Sequence, residues 1–241
     1  MKKIVIDIET TGINPKNDRI LEIGIIEVEN WKIINEFSTL LNPKVKISEN
    51  AYKVHKISEK MLIDAPTFEE ISSFIREKLN GSLVFGYKCL KFDLTFINYE
   101  LFRVNKIPIF PIVVDLSYLN DFFNVRSLYQ MGKRIGIKVS KKHRALSDAK
   151  ITFKIIRWIV EHFSEQFFEN FIFKYESKLE KLVKITNENS YSKIIYRNRY
   201  KISEYIGFPV EINKNFLIFY NSLNNKFYKL YKQRIIDVDY D

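Results

Sequence analysis

Cysteine and glycine are both scarce in this 241-residue chain. The single cysteine, Cys89, excludes an intramolecular disulfide and a cysteine-built zinc cluster, and it suits a reducing, cytoplasmic compartment. The 7 glycines are scattered, and none forms the glycine-rich loop of a P-loop or a dinucleotide site. No apolar run approaches the ~20 residues of a membrane span. Met1-Lys2-Lys3 begins like the basic end of a secretion signal, but Asp7 and Glu9 interrupt the apolar stretch that should follow, which argues against secretion. Acidic residues are outnumbered too. The balance of 39 Lys/Arg against 29 Asp/Glu gives +10 and points to a polyanionic partner, with general solubility as the plain alternative.

Against that basic background, acids concentrate at three places. Ile4-Val5-Ile6-Asp7-Ile8-Glu9 is a β-branched run carrying two carboxylates at i, i+2, followed by the turn Thr10-Thr11-Gly12. Alternate strand side chains share a face, so Asp7 and Glu9 stand side by side. Paired acids repel unless a cation lies between them, and oxygen ligands suit a divalent metal. A solvated strand end is the plain alternative for this pair alone. The second place is Phe92-Asp93, ahead of the apolar helix-like run Leu94 to Phe102. The third is His143-Arg144-Ala145-Leu146-Ser147-Asp148, which opens the longest amphipathic stretch of the N-terminal part. Taken singly, a histidine before a helix is most simply a surface residue, and a Thr-Thr-Gly turn is ordinary turn chemistry.

Together these segments resemble the three motifs of the DEDDh 3′→5′ exonucleases, the DnaQ-like family that includes proofreading subunits of bacterial DNA polymerase III. Asp7-Ile8-Glu9-Thr10-Thr11-Gly12, Phe92-Asp93, and His143 with Asp148 five residues on match in order across roughly 150 residues, and finding all three is far more specific than finding one. Tyr52 to Ser58, Asp64 to Phe68 and Val113 to Leu116 resemble intervening family segments. The His-Asn pair that commonly precedes the family's second motif is absent, and the stretch reads Gly86-Tyr87-Lys88-Cys89-Leu90-Lys91 instead.

The resemblance implies a ribonuclease H-like α/β fold and two divalent ions, Mg²⁺ or Mn²⁺. Asp7 would bridge the ions, Glu9 and Asp148 would complete the one beside the attacking water, and Asp93 would serve the second. His143 would be the general base, because imidazole titrates near neutral pH. The backbone of Thr10, Thr11 and Gly12 would line the pocket for the terminal nucleotide. His162 reads as a helix-end cation and His55 as a packed residue near a helix start.

Periodicity organises the rest. Lys3 to Ile8, Ile20 to Val28 and Lys32 to Leu40 form a strand meander, with turns at Asn14-Pro15 and Glu29-Asn30. A helix spans Phe68 to Leu79, ended by Asn80-Gly81. Short strands follow at Leu83 to Phe85 and Ile112 to Asp115. Helices at about Arg126 to Ile135 and Arg144 to Phe163 close a mixed sheet with helices on both faces. This domain is expected over residues 1–168, followed by a helical linker over 169–190 and a small β-rich, barrel-like domain over 191–241.

The tail is aromatic and basic. Residues 170–241 hold 15 of the 36 aromatics, and 13 Lys/Arg against 8 Asp/Glu. Such residues build either the core of a small β domain or a stacking platform for single strands. Asn215-Phe216-Leu217, Pro209, and Phe227 to Leu230 with Arg234-Ile235 weakly resemble a WYL domain.

The expected activity is release of nucleoside 5′-monophosphates from 3′ ends of single-stranded or frayed DNA, with a polymerase or other replication or repair assembly as a partner. RNA as substrate, or a non-catalytic nucleic-acid-binding module, are the competing readings.

Overall fold

A computed structural model describes residues 1–106, 108–109, 111–139, 143–174, 181, 185–188, 190–197, 202–213 and 216–240. The chain divides into two compact units, Met1–Glu100 with Ile109–Tyr175, and Leu101–Pro108 with Glu176–Asp241.

The first unit is built on a six-stranded mixed sheet. Its strands are β1 (Lys3–Thr10), β2 (Ile20–Glu29), β3 (Lys32–Leu40), β4 (Leu83–Gly86), β5 (Ile112–Asp115) and β6 (Ile172–Lys174), in the order β3-β2-β1-β4-β5-β6. β1 and β4 run parallel, as do β4 and β5, while β1, β2 and β3 form the antiparallel meander. The apolar residues of β1 are buried on both faces, so the strand needs a covering layer on each side. Among the described residues, six helices accompany the sheet: α1 (Glu49–His55), α2 (Phe68–Leu79), α3 (Asp93–Arg103), α4 (Asn120–Phe123), α5 (Leu128–Arg134) and α6 (Ala145–Phe163). Val5, Phe85 and Val114 pack with Met131 of α5 and with Ala149, Phe153 and Ile156 of α6. Since Val5, Asp7 and Glu9 alternate onto one face of β1, the acid pair lies on the face that α6 covers.

Gly24 permits that approach. A Cβ there would meet the backbone of Ala145 and Leu146 at 2.5 Å, so β2 and the start of α6 could not come together around any other residue. α2 spans the expected residues because its ends are specified locally. Thr67 and Glu70 form a capping box, and Asn80 closes the last turn by donating its backbone N–H to the Arg76 carbonyl.

Three features differ from the sequence reading. Leu116–Leu119 forms a 3-10 turn that runs into α4, elements to which the sequence reading assigned nothing. α5 begins at Leu128 rather than Arg126, because the Ser127 hydroxyl caps it by accepting the Gln130 N–H. β6 also lies beyond residue 168 and pairs antiparallel with β5, so a domain cut at 168 would remove a strand from the sheet. Much of the segment read as a helical linker lies outside the described residues.

The second unit is a five-stranded antiparallel sheet, β10-β9-β8-β7-β11. Its strands are β7 (Ser192–Arg197), β8 (Ile202–Ile212), β9 (Phe216–Asn221), β10 (Lys226–Tyr231) and β11 (Ile235–Tyr240). Tyr196, Tyr205, Leu217, Phe219 and Leu230 form its core. The alternate residues of the β9–β10 hairpin, Phe216, Tyr220, Phe227 and Tyr231, face the other way. Phe227 and Tyr231 are 66% and 42% exposed, and the Lys229 ammonium lies 4.0 Å from the centre of the Phe216 ring. Among the described residues, no helix is long and apolar enough to cross a membrane.

Candidate active site

Each acid reaches the site through its own element. Asp7 and Glu9 come from β1. Asp93 is the first residue of α3 and is 3% exposed. Asp148 sits in the first turn of α6 and is 5% exposed. Helix N-termini favour negative charge, which suits Asp93 and Asp148 where they stand. Ligand atoms of Glu9, His143 and Asp148 lie within 4.8 Å of one another. Asp7 senses Asp93, Asp148 and Glu9 electrostatically, so all four acids share one field.

That field makes ionisation costly. Burial, then the neighbouring acids, pushes the Asp7 carboxyl well above the ordinary range. Burial, then Asp148, Glu22 and Asp93, pushes Glu9 up to about 8, with Arg144 opposing. Asp93 is pushed up to about 8 by burial and then Asp115, against backbone hydrogen bonds from its own and the Ile8 amides. Asp148 is also raised by burial, opposed by hydrogen bonds from Tyr129 and His143. Four gathered carboxyls that resist ionisation are a donor set of hard oxygens that suits a divalent cation. At this site the buried Asp148 Oδ1 has no hydrogen-bond partner among the described residues, as expected of a ligand atom.

Several side chains not singled out in the sequence organise this cluster. Glu22 of β2 lies opposite Glu9 in register and is 3% exposed. Its carboxylate accepts from the Arg144 guanidinium at 2.8 Å and from the Ala145 N–H at 3.1 Å. It thereby anchors the start of α6 and offsets its own charge. Asp115 accepts from the backbone N–H groups of Lys88 (2.8 Å), Leu90 (3.0 Å) and Ser117 (2.9 Å). This holds the turn that leads to Asp93, in the stretch where the expected His-Asn pair is missing. Lys88 takes a left-handed conformation there, at φ 62°. Tyr129 of α5 donates its hydroxyl proton to Asp148 Oδ2. Burial, followed by that hydrogen bond, raises the phenol, so it stays protonated as a donor. The i, i+2 spacing of Glu22 from Gly24, and the strand-end position of Asp115, were the only sequence signals for the first two; Tyr129 carried none.

The turn after β1 is tied down internally. The Thr11 N–H donates to the Arg19 carbonyl (2.9 Å), and the Thr11 hydroxyl donates to Asp18 (3.2 Å). The Thr10 hydroxyl donates to the Gly12 carbonyl. A Cβ on Gly12 would strike the Asp18 carboxyl at about 2.5 Å, so glycine is needed for this closure. His55 ends α1, is 4% exposed, and accepts the Ile57 N–H at Nδ1. It is packed, at the end of a helix rather than near the start of one. His162 lies exposed in the last turn of α6 and stacks on Trp158 at 4.1 Å.

A mixed sheet with helices on both faces and acids gathered under a covering helix is the ribonuclease H-like α/β arrangement that the sequence suggested. Residues 4–156 match the family described as Exonuclease (RNase T), and the chain belongs to that family. It is 38% identical over 169 residues to DNA polymerase III subunit epsilon of Buchnera aphidicola subsp. Baizongia pistaciae, covering 64% of this chain and 69% of that protein. It is 31% identical over 166 residues to a PolC-type DNA polymerase III of Clostridium perfringens, covering 68% of this chain but only 11% of that protein. The chain thus spans about a tenth of the PolC-type relative. Among solved structures, E. coli Exonuclease I in complex with a dT13 oligonucleotide superposes with a TM-score of 0.63 at 15% identity, over 91% of this chain and 55% of that one. Exonuclease X in complex with 5′ overhanging duplex DNA gives 0.52 at 23% identity, over 66% of this chain and 91% of that one. The resemblance to DnaQ-like 3′→5′ exonucleases therefore holds, whereas nothing in these comparisons supports the likeness of the tail to a WYL domain.

Proposed function

We propose that the chain is a metal-dependent 3′→5′ exonuclease that removes nucleoside 5′-monophosphates from single-stranded or frayed DNA ends. The observation that carries this reading is the gathering of four acids, half-buried Asp7 and Glu9 with buried Asp93 and Asp148, whose raised carboxyls suit a site for divalent cations. Asp7, Glu9, Asp93 and Asp148 would hold two divalent ions, with Asp7 serving both, and the chemistry supplied there would be charge neutralisation on the scissile phosphate and acidification of a water. His143 takes the proton from that water as its oxygen attacks phosphorus. The bond from phosphorus to the 3′ oxygen of the preceding nucleotide breaks, and that oxygen leaves as the new 3′ end. Thr10, Thr11 and Gly12 border the place of the terminal nucleotide, both threonine hydroxyls being committed to the turn.

A single strand is favoured by the outward aromatic face of the second unit, where Phe216, Tyr220, Phe227 and Tyr231 stand with Lys229. Bases stack on such rings while cations meet phosphates. Exonuclease I, similar in fold over 91% of this chain, has been captured with dT13 and dA16 oligonucleotides. The polymerase names of the relatives support a replication or repair partner.

The test is incubation with 3′- and 5′-labelled DNA and RNA oligomers, with and without Mg²⁺ or Mn²⁺, using wild type and His143→Ala. Mononucleotide release from 3′ ends of DNA that requires metal, and that falls by orders of magnitude in the variant, is expected. Preferential cleavage of RNA would transfer the activity to that substrate. Absence of any cleavage would leave a binding module.

A further inference from the structure

The Tyr129 hydroxyl lies at the meeting point of two groups that the proposed chemistry needs. It donates to Asp148 Oδ2. It accepts the His143 backbone N–H at 3.0 Å, and that N–H is also 3.1 Å from Asp148 Oδ2. It lies 3.3 Å from His143 Nδ1, with the two rings edge to face at 5.3 Å. His143 itself sits at φ 58°, a left-handed conformation that is strained for a residue other than glycine and persists only where its surroundings impose it. The two bonds made by its N–H are the local imposition.

A phenol has one proton to give, and its oxygen can accept. The carboxylate of Asp148, once ionised, can only accept, so the phenol proton is committed to Oδ2. Toward His143 the phenol oxygen is then an acceptor, and Nδ1 must carry the imidazole proton. Two consequences follow. Nε2 keeps its lone pair, so the nitrogen able to take a proton is fixed. Oδ2 is occupied, so the atom of Asp148 left for a cation is Oδ1, the buried oxygen without a hydrogen-bond partner.

We infer that Tyr129 is a positioning residue that sets the Nδ1–H tautomer of His143 and turns Asp148 Oδ1 toward the cation. The inference rests on the roles proposed for His143 and Asp148, but its first test does not depend on cleavage. Long-range ¹⁵N–¹H NMR of the full-length wild-type protein in excess Mg²⁺, where Asp148 is ionised, and at a pH that leaves imidazole neutral, reads the tautomer of each ring. Nδ1–H at His143 is expected, whereas Nε2–H, the form a solvent-exposed neutral histidine side chain prefers, would overturn the inference. Tyr129→Phe removes one oxygen and keeps the ring. In that variant the Nε2–H form should appear, and Mn²⁺ affinity measured by titration calorimetry should fall about 10- to 100-fold, the usual cost of losing a group that orients a ligand. At saturating Mn²⁺, kcat should fall by a similar factor with KM little changed. Adding Tyr129→Phe to His143→Ala should then cost little more, because the first group acts through the second. An unchanged tautomer and Mn²⁺ affinity in a folded Tyr129→Phe protein, or full additivity of the two losses, would reject the positioning role. Loss of the proposed activity in wild type would instead reject the exonuclease reading, and the tautomer and metal measurements would still decide the question for Tyr129.

Discussion

Replacing Glu9 with glutamine should make the metal-free protein more stable, by an amount that grows with pH. In the native protein Glu9 is moved from the ordinary 4.5 to about 8 by burial and by Asp148, Glu22 and Asp93. The unfolded chain ionises it near 4.5. Between these values the native state holds a proton that the unfolded state has lost, so wild-type stability falls as pH rises through this window. The slope is about 1.36 kcal/mol per pH unit for one proton. From pH 5.5 to 8 the Glu9 contribution therefore costs about 3 kcal/mol, which Glu9→Gln avoids. For a unit of this size that corresponds to roughly 6–12 °C in Tm. Comparing wild type with variant matters because other groups titrate with the opposite sign. Burial lowers His55, and desolvation lowers Lys232 to about 7, and both are retained in the variant. The assay is thermal unfolding followed by circular dichroism in EDTA at several pH values. The two curves should diverge with pH, and excess Mn²⁺ should stabilise only wild type at the alkaline end. Parallel curves from pH 5.5 to 8 would refute the claim that the cluster holds Glu9 protonated without a cation.

Asp7→Asn should abolish cleavage and Mn²⁺-dependent stabilisation while raising the Tm of the metal-free protein, because it removes an acid pushed well above its ordinary range; thermal scans with and without Mn²⁺ beside a cleavage assay check this. Gly24→Ala should cost about 1–3 kcal/mol, since its Cβ would meet the α6 backbone at 2.5 Å, and should lower activity beyond that by shifting His143 and Asp148; denaturant unfolding and kcat on one sample decide it. Phe227→Ser with Tyr231→Ser in the full chain should weaken binding of a long single strand about tenfold or more in EDTA, with little effect on an abasic strand of equal charge or on hydrolysis of a very short oligomer. Equal binding of the base-bearing strand by wild type and variant would remove this face from the substrate path.

The motif acids were legible because each is tied to a local rule. Asp7 and Glu9 share a face because strand side chains alternate. Asp93 and Asp148 announce themselves at the starts of apolar, helix-period runs. The meander, α2 and the tail strands were legible for the same reason, since their turns, caps and alternation are written within a few residues. What supports the site was not legible, because its contacts join distant parts of the chain. Glu22 reaches Arg144 across 122 positions, Asp115 reaches Lys88 across 27, and Tyr129 reaches Asp148 across 19. No periodicity encodes such pairings. The tail divides in the same way. Sequence alternation shows that its aromatics split between two faces, but only strand register decides that Phe219 and Tyr205 are buried while Phe227 and Tyr231 face water. The sequence by itself thus determined the elements and the acids they carry. The tertiary structure decided which face α6 covers, through Gly24, and which oxygen and which ring nitrogen are left free to act, through Tyr129, because those outcomes depend on atoms brought together only by packing.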